Sequence, residues 1–253
     1  MHPKTQPDMD TTHLAFLFVV IGVVAFLYSS VGHAGASGYI AVMTLFGLAA
    51  TTIRPTALIL NILVATIGSI QFARAGYFRW RLFWPFAVLS IPAAYLGGYL
   101  QLPVAILRIL IGLVLLFSAA RLFFRKNDPP DVELPSPPAA IGVGGVVGLL
   151  SGLTGTGGGI FLTPLLLFFK WARIREAAAV SALFILVNSI AGLAGYFIAH
   201  RSISSLGFVL SGAAVMGGTA GSYFGSKRFP VRTISLVLAV VLVIAGTKLI
   251  FTR

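Results

Sequence analysis

The chain contains no cysteine. Disulfide frameworks, cysteine-ligated metal centres and thiol chemistry are therefore excluded, and the redox compartment stays open. Charge is also scarce, because only 9% of the 253 residues are Asp, Glu, Lys or Arg, against about 25% in a soluble domain. Acid is the scarcest of all: six Asp and Glu face eighteen Lys and Arg, for a net charge of +12. In a soluble chain that excess would point to nucleic acid. Here the charges are too few to cover a soluble surface, so nucleic acid is not a partner. Nothing at the start reads as a cleavable signal, since Met1 to Thr12 sets Asp8 and Asp10 against Lys4. Nor does any pattern ask for a cofactor.

Apolar residues fill the chain instead. They make up 58% of it, the mean hydropathy is +0.98, and a soluble domain carries roughly 45–50%. This is the composition of an all-α polytopic membrane protein whose first partner is the lipid bilayer. Uncharged runs fall at about 14–31, 38–50, 55–73, 83–100 and 104–120, then at 139–152, 158–169, 177–199, 204–224 and 231–247. A membrane-spanning helix needs roughly 20 residues, so the runs at 38–50, 139–152 and 158–169 look too short. The proline-rich charged stretch 125–138 cannot enter lipid. It reads as a cytoplasmic linker between a first transmembrane repeat, 14–124, and a second, 139–253, with 1–13 as an outer tail.

The halves resemble each other. Gly32 to Ile40 lies over Gly152 to Ile160, Ile53-Arg54 over Ile174-Arg175, Gly97 to Leu100 over Gly221 to Phe224, Pro103-Val104 over Pro230-Val231, and Arg121-Leu122 over Lys248-Leu249. Basic short loops mark the cytoplasmic side. In the first half they follow the third segment (Arg74, Arg79, Arg81) and the fifth (Arg121, Arg125, Lys126). In the second they follow the second segment (Lys170, Arg173, Arg175) and the fourth (Lys227, Arg228, Arg232). Equivalent loops swap sides, so the expectation is two inverted five-segment repeats with both termini outside. Arg54, Arg201, Lys248 and Arg253 are minor exceptions on the outer side.

Within each half the first two segments meet at a glycine cluster. Segments of about 13 residues reach only some 20 Å, which predicts a re-entrant hairpin or broken helix with Gly35 to Gly38 and Gly155 to Gly159 near the midplane. Irregular backbone at that depth survives only where protein or a water-filled cavity satisfies it. Inverted repeats with discontinuous helices point to a secondary transporter. Helix N-termini starting near Gly38 and Gly158 would offer unpaired N–H donors and partial positive charge to an anion. The stripes Gly144, Gly148, Gly152 and Gly217, Gly221, Gly225 have the small-residue spacing of helix packing instead. Candidate substrate-binding residues are therefore His33, Gly35, Ser37, Gly38, Thr154, Gly155, Thr156, Gly157 and Gly158. Asn188 and Ser189 join them from the third segment, and Asn61, Gln71 and Arg108 are further candidates. His33 either hydrogen-bonds the anion or carries a coupled proton. No carboxylate stands at the centre of a segment, which favours an anionic substrate over a cation.

The run Gly148-Leu149-Leu150-Ser151-Gly152-Leu153-Thr154-Gly155-Thr156-Gly157-Gly158-Gly159, continued to Pro164, resembles the glycine-rich signature of the sulfite exporter TauE/SafE family. Arg175, Ala179, Ala182, Asn188, Ser189 and Gly192 resemble it too, and the likeness covers residues 14 to 251. It implies an inner-membrane carrier, a probable exporter, for sulfite, an organosulfonate or a thiosulfate-like anion, working as monomer or homodimer. In the first half Ser37 and Tyr39 replace two glycines and Thr44 stands where Pro164 would be. A small-anion channel of the same architecture is the nearest alternative. Gly35-Ala36-Ser37-Gly38 also resembles the GxSG of rhomboid proteases. Its repeat equivalent Gly155-Thr156-Gly157-Gly158 argues that the turn is architectural, so no enzyme activity is expected.

Overall fold

The computed structural model describes residues 11–100, 131–200 and 206–251, together with 115, 116, 119, 120 and 123. Among these, every regular element is helical: α1 Thr11–Ser30, α2 Ala36–Leu45, α3 Ala50–Arg74, α4 Trp80–Tyr99, α5 Pro137–Thr154, α6 Gly159–Phe168, α7 Ile174–His200, α8 Leu206–Tyr223, a π-helical turn Phe224–Arg228, and α9 Val231–Phe251. Six of them (α1, α3, α4, α5, α7 and α9) are long and apolar enough to cross a membrane. The polytopic all-α reading therefore stands. Most of the run at 104–120, with Arg108, lies outside the described residues.

The segment at 139–152 is longer than its apolar run. Pro137 and Pro138 occupy the first turn of α5, where no amide hydrogen is required. At the other end the helix runs to Thr154 and is closed by Gly155, left-handed at φ 73°, whose amide bonds the Ser151 carbonyl at 2.9 Å. The result is 18 residues, enough to qualify as a span, and the expectation of a short segment there is corrected. By contrast α2 and α6 are ten residues each, about half of what a crossing needs.

Large apolar side chains line much of the outer surface, while the interior combines an apolar core with buried polar residues. Phe16 and Val19 are 61% exposed and Phe208 69%, while Asn61, Ser181, Asn188 and Ser189 are fully buried. Exposed apolar side chains suit a lipid surround, and buried polar groups in such a chain are costly unless partnered.

Packing between helices is reciprocal. The expected duplication would set α1 against α5, α3 against α7 and α4 against α8, and the structure packs α1 on α8 and α5 on α4. Likewise α3 meets α8 and α7 meets α4, with α3 and α7 also packed on each other. The two glycine stripes make the first two contacts possible. A Cβ at Gly217, Gly221 or Gly225 would collide with the carbonyls of Gly22, Phe26 and Ser30, and one at Gly144, Gly148 or Gly152 with those of Phe86, Ser90 and Ala94. Backbone-to-backbone approach of this kind is what small-residue spacing provides in lipid.

Helices α3 and α7 run antiparallel. The Tyr196 hydroxyl, near the end of α7, donates to the Thr51 carbonyl at the start of α3 at 2.9 Å. At the opposite end the Arg175 guanidinium at the start of α7 donates to the hydroxyl of Tyr77, just past α3, at 2.6 Å. The basic loops meet at that second end. Arg79 pairs with Glu176 at 2.7 Å, Arg175 reaches the Phe229 carbonyl at 2.6 Å, the Glu133 amide bonds the Lys170 carbonyl at 3.2 Å, and Arg232 bonds that of Phe123 at 2.8 Å.

Candidate functional site

Both short helices begin at left-handed glycines. Gly35, with φ 107°, caps α2, and Gly158, with φ 82°, caps α6 after Gly155 and Gly157 at 73° and 78°. A side chain is strained in this region, so the turns need glycine. The helix starts differ from the expected Gly38 and Gly158. Helix α2 begins at Ala36 and α6 at Gly159, because the last left-handed glycine in each cluster, Gly35 and Gly158, sets the helix start. The first helical hydrogen bonds then run from Tyr39 to Gly35 and from Phe161 and Leu162 to Gly158. The first-turn amides of Ser37 and Gly38, and of Gly159 and Ile160, have no carbonyl within their own helices to serve.

Asn61, in the middle of α3, joins the two tips. Its Oδ1 accepts the amide of Ala36, the first residue of α2, at 3.1 Å. Its Nδ2 donates to the Thr156 carbonyl at 3.2 Å and to Ser189 Oγ on α7 at 3.3 Å. Gly157 is packed under this amide: a Cβ there would lie 2.7 Å from Asn61 Nδ2 and 2.9 Å from Ser189 Oγ. His33 makes a second link. Its Nε2 lies 3.1 Å from the Gly159 carbonyl and its Nδ1 3.2 Å from that of Val31.

The hydroxyls expected at the tips are present and differently engaged. Thr154 and Thr156 Oγ1 are 2.9 Å apart. Ser37 Oγ donates to the Tyr28 hydroxyl at 3.0 Å, which turns it toward α1. Gly38 is packed against Val24 and Tyr28 of the same helix. Asn188 donates to the Phe184 carbonyl of its own helix at 2.8 Å, and its Oδ1 is buried without a partner. Ser151 Oγ is also buried and unpartnered, and its Cβ lies beside Gly158.

The structure thus brings His33, Gly35, Ser37, Gly38, Thr154 to Gly158, Ser189 and Asn61 around the two tips. Gln71 is elsewhere. It lies ten residues along α3 from Asn61, and its Nε2 donates to the Thr219 carbonyl of α8 at 3.3 Å. No group of three or more His, Cys, Asp or Glu capable of holding a metal occurs among the described residues. Sequence reasoning set Asn188 ahead of Asn61, yet Asn61 holds the tips together. It also treated Arg54 as an exception to a charge rule, whereas the Arg54 side chain lies against Gly155. The pairing of Arg54 with Arg175 in the duplication was the available signal.

The sequence pattern of the family described as Sulfite exporter TauE/SafE matches residues 17–249. A probable membrane transporter protein of Sinorhizobium fredii is 39% identical over 249 residues, covering 96% of this chain and 100% of its own. A probable membrane transporter protein of Methanocaldococcus jannaschii is 29% identical over 61% of this chain and 60% of its own. Another from Bacillus subtilis is 28% identical over 44% and 40%. No solved structure matches. With a match over nearly its whole length, and with six helices among the described residues long and apolar enough to cross a membrane, this chain belongs to the sulfite exporter TauE/SafE family of membrane transporters.

Proposed function

We propose that the chain is a secondary transporter, working as an exporter in the inner membrane, that carries a small oxyanion such as sulfite or an organosulfonate by alternating access. The observation that carries this reading is the Asn61 bridge between Ala36 and Thr156. It draws the starts of two short helices together in the buried interior, and helix starts are electropositive.

The anion sits between the tips, held by first-turn amides of Ser37, Gly38, Gly159 and Ile160, with Thr154 and Thr156 hydroxyls at its edge. His33 and Asn61 hold the two tips in register, and Ser189 and Asn188 wall the site from α7. Each hydrogen bond to a charged group contributes about 1.5–3 kcal/mol, and two facing helix dipoles add to this. An anion gains this stabilisation and a cation does not.

Two inverted repeats supply the alternation. Support comes from the reciprocal packing of α1 on α8 and α5 on α4, the antiparallel α3 and α7, and the basic loops meeting at one end. The halves rock about the α3–α7 pair, exposing the tips to one side and then the other. Both termini lie on the face opposite the basic loops.

Counterflow in proteoliposomes tests this. Vesicles loaded with unlabelled sulfite are expected to accumulate labelled sulfite transiently. Equilibration without accumulation would indicate an open channel, and no uptake of sulfite, sulfonate or thiosulfate would overturn the substrate class.

A further inference from the structure

Two arginines occupy equivalent places in the duplicated halves, and each lies on a tyrosine from the other half. The Arg54 guanidinium is 5.5 Å from the Tyr196 ring centre, and that of Arg175 is 5.2 Å from the Tyr77 ring centre. The pairs stand at opposite ends of the antiparallel α3 and α7. Arg54 donates to the carbonyls of Gly97 at 2.7 Å and Gly98 at 3.2 Å at the end of α4, and to that of Gly152 near the end of α5. Arg175 donates to the Tyr77 hydroxyl and to the Phe229 carbonyl ahead of α9. Both guanidiniums retain a buried Nε–H with no partner, and among the described residues neither is paired with a carboxylate.

The helix that carries each arginine also packs on a glycine turn. Arg54 packs on Gly155, and one turn beyond Arg175, Ala178 is packed so closely on Gly32 that a Cβ there would collide with it.

We infer that Arg54 and Arg175 are the anion-entry residues of the two membrane faces, each latching its face shut until an oxyanion takes its guanidinium. This inference rests on the alternating-access reading. A guanidinium bonded to neutral carbonyls holds helix ends together, as cations do at helix C-termini. An oxyanion offers it a charge-assisted, bidentate contact roughly twice as strong, and the idle Nε–H supplies a further donor for it. A carboxylate partner would have competed with the substrate, whereas carbonyls yield to it. The anion then passes to the adjacent tip while the released helix ends part. Arg54 shares one amino group, Nη2, among three helix-end carbonyls, whereas Arg175 uses both of its amino groups, Nη1 on a hydroxyl and Nη2 on a carbonyl.

The absence of cysteine makes the test direct, because a single introduced cysteine reports alone. Thr156→Cys at the second tip is treated with a membrane-impermeant maleimide in vesicles of each orientation. In this background Arg54→Gln is expected to raise labelling by about tenfold or more, the weight of roughly one charge-assisted hydrogen bond, from the Arg54 face only. Arg175→Gln is expected to raise it from the opposite face only, and Lys at either position to restore part of the closure. Tyr196→Leu, which keeps the guanidinium and its carbonyls, is expected to open the Arg54 face to a smaller degree and serves where Arg54→Gln does not fold. Increases on the same face for both arginines, or on neither, would overturn the inference. Sulfite is expected to slow the labelling. Sidedness without sulfite protection would leave the latches standing and reject the substrate, while protection without sidedness would do the reverse.

Discussion

His33 Nε2 lies 3.1 Å from the carbonyl of Gly159, 126 residues away in the other half of the chain. Because its Nδ1 also faces a carbonyl, that of Val31 at 3.2 Å, the ring is a strut between the first glycine turn and the first residue of α6. A neutral imidazole carries one N–H, so the buried ring donates to one of these two carbonyls.

His33→Ala is therefore expected to destabilise the protein by about 1–3 kcal/mol, the cost of leaving a buried carbonyl unserved. Thermal melting in detergent measures this. An unchanged melting temperature would show that the strut carries no stability.

Asn61 allows the bridge and the charge of the site to be separated. Asn61→Asp keeps an acceptor for the Ala36 amide but removes the donors to Thr156 and Ser189 and places negative charge beside the tips. Sulfite affinity is expected to fall by at least about tenfold, equivalent to 1.4 kcal/mol, with Asn61→Leu less stable but electrically neutral. Calorimetric titration of both variants distinguishes these outcomes.

The glycine stripes predict a contrast within one residue type. Gly221→Ala drives a methyl group into the Phe26 carbonyl and is expected to cost about 1–3 kcal/mol or more as overpacking. Gly142→Ala meets no atom within 4 Å and is expected to stabilise α5 by roughly 0.5–1 kcal/mol. Melting temperatures that move together would contradict the packing described for α1 and α8.

Glu176 has two roles at the start of α7. It pairs with Arg79, whose side chain is 44% exposed, and it accepts the Arg173 amide at 3.0 Å. A pair with one partner exposed contributes little, about 1 kcal/mol or less, and a helix-capping acceptor about 1 kcal/mol. Glu176→Ala is thus expected to lower the melting temperature more than Arg79→Ala, and only the Arg79→Ala effect should vanish in high salt.

Membrane class, segment positions and glycine tips were legible in the sequence because they depend on composition and local pattern. The ten-residue α2 and α6 follow from glycine clusters that break an otherwise apolar run. The length of α5 did not follow, since prolines that terminate a helix elsewhere begin one at Pro137. The role of Asn61 was hidden for a different reason. The two partners that tie the tips together are backbone atoms of Ala36 and Thr156, and backbone atoms leave no trace in side-chain identity. Arg54 was misleading by sign: its charge suggested a loop at a membrane face, whereas its surroundings are helix-end carbonyls and the Tyr196 ring.

The central claim is an oxyanion held between Ala36–Gly38 and Thr156–Ile160. Selenite has the shape and charge of sulfite and a heavy atom that scatters anomalously, so a crystal soaked with it locates the site directly. The account predicts a selenium peak between the two tips, within hydrogen-bonding reach of the first-turn amides. A fully occupied peak elsewhere, with none between the tips, would contradict it.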